Sequence, residues 1–295
     1  MKTIDIHAHI VPDSMWRAIE AKQDWHGFHH EPGEGSGTMV ANGQRTEFSS
    51  AKLRYTVEQR IKDMDEQKVD VQVLSIHTPF VGYHLEPAQG LALARDFNDE
   101  LSATVRRANG RLAGFATLPV QEVGLAIAEL ERAVTTLGLK GASLDTSVNG
   151  LQWDEPAFLP FFKAAEQLGA VLFYHPQPRN NFLQKRISRH GLNNSLGVIL
   201  DDAIVTAVLL AGGVLEMPRR QNLHRPRRRT GLPCHGPHRQ ELAGLAFNAQ
   251  HGAAAGRLCE QAVLRHRRRR GPCGDGQRLA LRAVASVAGE MAARS

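Results

Sequence analysis

The sequence lacks any apolar stretch long enough to cross a lipid bilayer. The longest apolar run, residues 203–215, is interrupted by a threonine and two glycines and falls short of the roughly 20 residues that a membrane-spanning helix needs. The start of the chain also lacks the apolar core of a signal peptide, because its first two residues lead straight into a strand pattern. These absences predict a cytoplasmic protein with no membrane partner.

Lysine and large aromatic residues are nearly missing from the C-terminal part. Residues 217–295 contain 16 arginines, no lysine, four acidic residues and a single aromatic residue, Phe247. Their formal net charge is +12 and that of residues 1–216 is −6, so the chain's +6 is the sum of two segments of opposite charge. A core needs large apolar side chains, and residues 217–295 have few of them. We therefore divide the chain into residues 1–216 and residues 217–295.

Residues 1–216 alternate short β-rich runs with longer segments of helical spacing. The predicted strands are Thr3–His7, Val71–Ile76, Leu112–Leu118, Gly141–Leu144 and Val171–His175. The predicted helices are Pro87–Asn109, Val123–Leu137, Glu155–Leu168 and Ser195–Leu215, and another starts at a capping box formed by Thr56 and Gln59. The alternation is typical of a parallel sheet, either doubly wound or closed into a (β/α) barrel. Residues 21–52, which are polar and glycine-rich, are predicted to form a long loop over the mouth of such a barrel.

Histidines stand where two of the predicted strands end. His7 and His9 are two residues apart on the first strand, so both side chains can point to the same spot. His175 follows a buried apolar run, and no glycine-rich phosphate loop follows the first strand. These features favour the barrel, whose chemistry lies at the C-terminal ends of its strands. Paired histidines also occur by chance, and a lone histidine after a strand is usually structural.

Five segments resemble the amidohydrolase superfamily, within it the decarboxylase branch that includes aminocarboxymuconate-semialdehyde decarboxylase. They are DIHAHIVP at 5–12, RIKDMDEQKVDVQVLS at 60–75, GFATLPVQ at 114–121, FYHPQ at 173–177 and NSLGVILDDAIVTAVLLAGGVLE at 194–216. The resemblance implies a (β/α)₈ TIM barrel of the metal-dependent hydrolase type, with about five βα units recognisable. It also implies a divalent metal ion, commonly zinc, held by His7, His9 and His175.

Other polar residues lie near the predicted barrel mouth. His77 follows the second strand and either contacts substrate or has no chemical role, the second interpretation being preferred. Asp5 is predicted to lie on the same face of the first strand as His7 and His9, and it either contacts a ligand histidine or helps to close the barrel layer, which is a structural role. Asp201 and Asp202 are interpreted as capping or ion-pair residues. The weaker candidates for the rim are His84, Gln177, Arg179 and His190. The residues that either pack in the core or line the pocket are Trp16, Trp25 and Trp153.

The C-terminal part departs from the family pattern. The resemblance implies a sixth strand ending in His-Gly-Gly-Gly and an eighth strand ending in a metal-ligating aspartate, and residues 217–295 match neither. Read one base later with GC-rich codons, residues 217–243 can encode CPDAKICIAHGGGPACHAMGRIDRNWQ, and residues 257–268 can encode AYVNKLYYDTVV. We therefore predict that a frameshift near residues 216–217 replaced the native C-terminal third and left residues 217–295 poorly ordered.

Two other interpretations of residues 217–295 are less favoured. The run Arg265–Arg270 could bind nucleic acid through phosphate contacts, but it lacks lysine and interleaved aromatic residues. Zinc could bind the local cysteines and histidines, although no Cys-x-x-Cys pair supports such a site. The residues concerned are Cys234, His235, His238, Cys259 and Cys273. We therefore expect no nucleic-acid partner.

The resemblance implies a nonoxidative decarboxylase of an aromatic or unsaturated carboxylic acid, a reaction in which the absent aspartate and histidine would move the proton. A metal-dependent hydrolase of an ester, lactone or ring-cleavage product is the alternative, because the same ligand set serves both reactions. A third hypothesis is an inactive remnant that aggregates or shows negligible turnover, because five strands cannot close an eight-stranded barrel. Related enzymes often form homodimers, and the sequence has no independent indication of one.

Overall fold

The structure is a computed structural model that describes residues 2–31, 38–41, 44–48, 50–177, 184–188, 191–214 and 245–247. Its strands are β1 (Ile4–Ile10), β2 (His29–Glu31), β3 (Thr38–Ala41), β4 (Gln44–Glu47), β5 (Val71–Ile76), β6 (Leu112–Gly114), β7 (Gly141–Leu144), β8 (Val171–Tyr174) and β9 (Leu245–Phe247). Its α-helices are α1 (Asp13–Glu20), α2 (Val57–Glu66), α3 (Pro87–Arg107), α4 (Val123–Thr135), α5 (Leu159–Leu168), α6 (Gln184–Ile187) and α7 (Leu196–Ala211). None of these helices is long and apolar enough to cross a membrane.

Parallel pairing joins the strands into a curved array. The order is β1-β5-β6 in one sheet and β7-β8-β9 in the other, and a parallel bridge between Ala116 and Ala142 links the two. Helices α2, α3, α4 and α5 alternate with these strands along the chain. This arrangement confirms the (β/α)-barrel class, with the five predicted parallel strands present as β1, β5, β6, β7 and β8. The short strand β9, in residues 217–295, was not predicted.

Local sequence features set the helix ends. Helix α2 begins at the predicted capping box, in which the Thr56 side chain accepts from the Gln59 N–H and the Gln59 side chain accepts from the Thr56 N–H. Helix α3 begins with a proline at its first position, where the missing N–H costs nothing. Helix α5 ends at Gly169, whose φ of 61° is left-handed and therefore favours glycine.

The apolar side chains form two clusters, one on each side of the parallel strands. The larger cluster fills the space between the strands and the helices and includes Leu74, Leu144 and the fully buried Trp153. The smaller cluster lies inside the barrel and consists of Val73, Phe115 and Phe173, against which Ile6, Ala113 and Val171 pack. Phe115 and Phe173 stack with ring centroids 5.5 Å apart. Residues from β1, β5, β6 and β8 thus meet across the barrel interior.

The segment between α1 and α2 differs from the prediction. Residues 21–52 were expected to form a loop, but the structure has an antiparallel sheet there, with β3 between β2 and β4. These strands were missed because each is only three or four residues long and lies among glycines and polar residues. Met39 and Ala41 of the central strand are buried in the larger cluster, so apolar packing fixes this sheet onto the barrel.

Candidate functional site

Three histidine side chains meet at the C-terminal ends of β1 and β8. The Nε2 atoms of His7 and His175 are 2.8 Å apart, and Nε2 of His9 lies 3.2 Å from each of them. Strands β1 and β8 are not paired with each other, so the group forms across the barrel. Over the ranges that the structure describes, this is the only group of three or more histidine, cysteine or acidic residues close enough to share a metal ion.

Main-chain carbonyl groups set the tautomers of two of these histidines. Nδ1 of His175 lies 3.0 Å from the carbonyl oxygen of Pro176, and Nδ1 of His9 lies 3.2 Å from that of Ile76. A carbonyl oxygen only accepts, so in each neutral ring Nδ1 carries the hydrogen. Nε2 is then unprotonated, and its lone pair points to the centre of the group. The Ser75 hydroxyl lies 3.1 Å from the same His9 Nδ1 and adds a second contact.

Burial keeps these imidazoles neutral. Desolvation, followed by the nearby His7, lowers the pKa of His175 to about 3. The pKa of His9 is also well below its usual value because of burial and, after that, because of His175 and His7. Metal ions bind the neutral form of imidazole, so both side chains are in the binding state at neutral pH.

The spacing of the three nitrogen atoms fits a metal ion. Imidazole nitrogens bind zinc at about 2.0–2.1 Å, which separates two such ligands in a tetrahedral site by about 3.3 Å. The observed separations of 2.8 to 3.2 Å are close to this value. The donor set and the tautomers therefore suit a divalent metal ion held on one side by three histidines.

A β-bulge on β1 changes the expected role of Asp5. Asp5 pairs with Gln72 and Ala8 pairs with Leu74, so two residues of β1 lie opposite the single Val73 of β5. The extra residue breaks the simple alternation of side chains. The expectation that Asp5 shares a face with the histidines was therefore wrong. Its carboxylate instead accepts the N–H of His7 at 3.0 Å and the side-chain amide of Gln72 at 2.8 Å, which is the structural role.

His77 lies next to the three histidines. Its ring centroid is 5.8 Å from that of His9 and 5.8 Å from that of Phe80. Burial lowers the pKa of His77 to about 4. Its Nδ1 is buried and has no hydrogen-bond partner in the described residues. His77 therefore borders the site, and its contact with substrate stays a prediction.

A cleft of about 290 Å³ opens between the β2–β4 sheet and the ends of the parallel strands. Asp145 follows β7 and lines this cleft, as do the weaker candidates His84 and Gln177. Gln177 donates to Asp145 Oδ2 at 2.9 Å, and the N–H of Thr146 donates to Oδ1 at 2.7 Å. The sequence analysis missed Asp145, although its position directly after a predicted strand could have identified it.

The two aspartates of α7 are buried rather than exposed. Asp201 and Asp202 lie in the middle of α7, whose N-cap residue is Ser195. Neither forms an ion pair with another described residue. Burial raises the pKa of Asp201 to about 7 and that of Asp202 to about 8. The capping interpretation was therefore wrong, and the ion-pair interpretation stays a prediction.

The remaining candidates are either packed in the core or not described. Trp16, Trp25 and Trp153 are buried in the larger apolar cluster, and each residue is at most 5% exposed. The candidates that lie outside the described residues are Arg179, His190, Cys234, His235, His238, Cys259, Cys273 and Arg265–Arg270.

Comparisons with known proteins agree with this geometry. A family model described as amidohydrolase matches residues 4–220. The 2-amino-3-carboxymuconate-6-semialdehyde decarboxylase of Dictyostelium discoideum is 29% identical over 217 residues, which cover 72% of this chain and 59% of that protein. A gamma-resorcylate decarboxylase of Rhodococcus jostii is 34% identical over 136 residues, which cover 43% of this chain and 41% of that protein.

A solved structure has the same fold. It is a 5-carboxyvanillate decarboxylase from Novosphingobium aromaticivorans, complexed with manganese and 4-hydroxy-3-methoxy-5-nitrobenzoic acid. The TM-score is 0.57 at 19% identity, and the match covers 73% of this chain and 62% of that one. The chain thus spans less than two thirds of the length of each of these three proteins.

Proposed function

The chain belongs to the amidohydrolase family, and on that premise we propose that residues 1–216 carry the metal-binding part of a nonoxidative decarboxylase. Its substrate class is an aromatic or unsaturated carboxylic acid. The observation that carries the proposal is the triangle of Nε2 atoms of His7, His9 and His175, with separations of 2.8 to 3.2 Å. Three imidazoles facing one point across a barrel mouth have a ready explanation as metal ligands.

The names of the relatives favour decarboxylation over hydrolysis. The two curated relatives and the solved structure described above are all named as decarboxylases of carboxylic acids. A hydrolase of an ester, lactone or ring-cleavage product remains the alternative, because three histidines and a metal ion serve either reaction. Release of carbon dioxide separates the two.

Zinc is the proposed metal, since a set of imidazole ligands with an open position suits it. One structural neighbour contains manganese, so metal analysis of the purified chain has to distinguish the two. When bound, the ion would act as a Lewis acid towards oxygen atoms of the substrate.

The residues around the triad prepare the site for that chemistry. Phe173 of the smaller apolar cluster contacts the ring of His7, with centroids 6.2 Å apart, and Ile6, next to His7, packs against the same cluster. The cleft that Asp145 and Gln177 line is the proposed place for the part of the substrate that extends away from the metal end.

The proposed activity is tested by assaying carbon dioxide release from a panel of hydroxylated benzoic acids and unsaturated dicarboxylic acids. The chain is first loaded with zinc or with manganese, and His175→Ala serves as the matched control. Metal-dependent release that disappears in His175→Ala supports the proposal. Turnover of esters or lactones without carbon dioxide release supports the hydrolase instead.

A second candidate is an inactive remnant, favoured by what residues 217–295 contain. The family match ends at residue 220, and the sequence beyond it has no His-Gly-Gly-Gly. The groups that the family resemblance assigns to proton transfer are then missing, so under this second candidate the chain binds metal but releases negligible carbon dioxide in the assay above. A frameshift near residues 216–217 accounts for both features.

Reading the DNA across Gly213–Arg220 tests that frameshift directly. If the next frame encodes an apolar strand followed by His-Gly-Gly-Gly, restoring it should raise carbon dioxide release at least 100-fold, the usual scale for a missing general acid or base. A next frame without that motif contradicts the frameshift. Equal activity of the original chain and the chain with the restored frame contradicts the remnant hypothesis.

A further inference from the structure

A buried arginine contacts the main chain beside the histidine triad. Arg60 lies on α2 and is 4% exposed. Its Nη2 donates to the carbonyl oxygens of Lys52 at 2.9 Å and of His9 at 3.2 Å, and its Nη1 donates to Oε1 of Gln72 at 3.0 Å. An arginine side chain is almost never buried without such partners, because removing its charge from water is costly. Three acceptors from three segments therefore fix the guanidinium in place.

Gln72 extends this network to the other ligand of β1. Its Nε2 donates to Oδ2 of Asp5 at 2.8 Å, and Oδ1 of Asp5 accepts the main-chain N–H of His7 at 3.0 Å. The hydrogen bonds thus run from the carbonyl group of His9 through Arg60, Gln72 and Asp5 to the amide of His7. Both ends of the network are main-chain atoms of proposed metal ligands.

The network encloses the β-bulge. Between Asp5 and Ala8 the pairing of β1 with β5 is irregular, so ladder hydrogen bonds do not fix the main chain there. His7 lies inside this stretch and His9 follows it. A shift of the bulge by one residue would turn His7 away from His175. Strand pairing fixes His9, which pairs with Ser75, but not His7, so another contact has to hold His7 in register with it.

We propose that Arg60, Gln72 and Asp5 form a clamp that fixes the bulged main chain and thereby positions His7 and His9 for metal binding. The three residues are positioning residues and contact neither metal nor substrate. This inference rests on the proposed metal site. It adds that the metal affinity of that site depends on which group donates and which accepts in the hydrogen bond between Gln72 and Asp5. This bond lies on the side of β1 away from the triad.

The polarity of the Asp5–Gln72 link provides a sharp test. In Asp5→Asn an amide group faces the Gln72 amide, so two donors meet. In Gln72→Glu a carboxylate faces that of Asp5, so two acceptors meet. In the double variant Asp5→Asn/Gln72→Glu, the new amide donates to the new carboxylate, and Arg60 still finds an acceptor. Each single variant breaks the link, and the double variant restores it with the roles reversed.

The zinc affinity of the full chain is measured by competition with a chromophoric chelator. The thermal unfolding of the metal-free chain is measured in parallel. Outer residues that orient metal ligands typically contribute roughly 10- to 100-fold to affinity, so each single variant should bind zinc at least roughly 10-fold more weakly. The double variant should return to within roughly threefold of the original affinity, because coupled residues are not additive.

Ser102→Ala is the matched control. It removes a buried hydrogen bond of 2.8 Å from the Ser102 hydroxyl to the Leu137 carbonyl, away from the triad. It should lower the unfolding temperature without changing zinc affinity. Single variants that bind zinc as tightly as the original chain, or a double variant as weak as the singles, overturn the clamp. A chain whose zinc uptake is absent, or is unaffected by His175→Ala, overturns the metal site and the clamp together.

Discussion

The carboxyl group of Asp202 should make the stability of this fold fall as pH rises. Asp202 is 1% exposed, and its Oδ1 has no hydrogen-bond partner among the residues with described side chains. Burial raises its pKa from 3.8 to about 8, and the adjacent Asp201 adds to the effect. The folded chain therefore keeps this group protonated at pH values at which the unfolded chain has released the proton.

The sign and size follow from this difference in proton binding. Between pH 3.8 and about 8 the folded state binds more protons than the unfolded state, so the free energy of unfolding decreases as pH increases. Each pH unit in that window costs at most about 1.4 kcal/mol. From pH 5 to pH 7 the loss attributable to Asp202 is therefore on the order of 2 kcal/mol.

Asp202→Asn removes the titrating group and keeps its size. Urea unfolding of the original chain and the variant, each at pH 5 and pH 7, measures the effect. The free energy of unfolding of the variant, relative to that of the original chain, should be roughly 2 kcal/mol higher at pH 7 than at pH 5. Asp201→Asn, which removes the neighbouring charge, should lower the pKa of Asp202 and weaken its pH dependence. The reasoning is refuted if the free energies of unfolding of Asp202→Asn and the original chain differ by the same amount at both pH values.

Three further predictions concern the triad and its strands. His175→Ala removes one of three ligands, so zinc affinity by chelator competition should fall at least roughly 100-fold while the far-ultraviolet circular dichroism is retained. Gly141 has a φ of 142°, and a Cβ atom there would overlap the main chain of Val171. Gly141→Ala should therefore lower the free energy of unfolding, measured in urea, by more than about 2 kcal/mol. The pKa of His77 is lowered to about 4, so its stabilising contribution is complete above pH 6.5 and is lost as pH falls towards 4. His77→Phe should therefore reduce the loss of stability between pH 7 and pH 5 by roughly 2 kcal/mol, and an unchanged pH profile contradicts this.

The sequence was sufficient to predict the parallel strands and the residues at their ends. Five strands were placed within a few residues, because buried parallel strands read as short apolar runs between helical segments. The capping box at Thr56 was found because its two hydrogen bonds need particular residue types three positions apart. The placement of His7, His9 and His175 at one barrel mouth was predicted from the rule that chemistry lies at the C-terminal ends of barrel strands, and the family resemblance implied that the three bind one metal ion.

Features that depend on register or on distant packing were not predictable in this way. The bulge in β1 leaves no mark in the residue pattern, and as a result the face of Asp5 was misjudged. The burial of Asp202 depends on how α7 packs, and a run of two aspartates in a helix is normally read as solvent-exposed. The strands β2–β4 are too short for periodicity to separate them from a loop.

The position of the triad explains how an incomplete family pattern can retain a metal-binding geometry. His7 and His9 lie on β1 and His175 follows β8, so the ligands come from strands at a distance from each other in the array. What joins these strands is the inner cluster, in which Ile6 of β1 packs with Phe173 of β8. Among the described residues this inner cluster uses only residues before position 216, and the one described segment beyond that boundary, β9, pairs with β8. The ligands and the cluster that joins their strands thus lie within residues 1–216, whereas proton transfer, by the family resemblance, needs groups beyond that boundary. Metal binding and turnover should thus be separable properties of this chain, with the first retained where the second is lost.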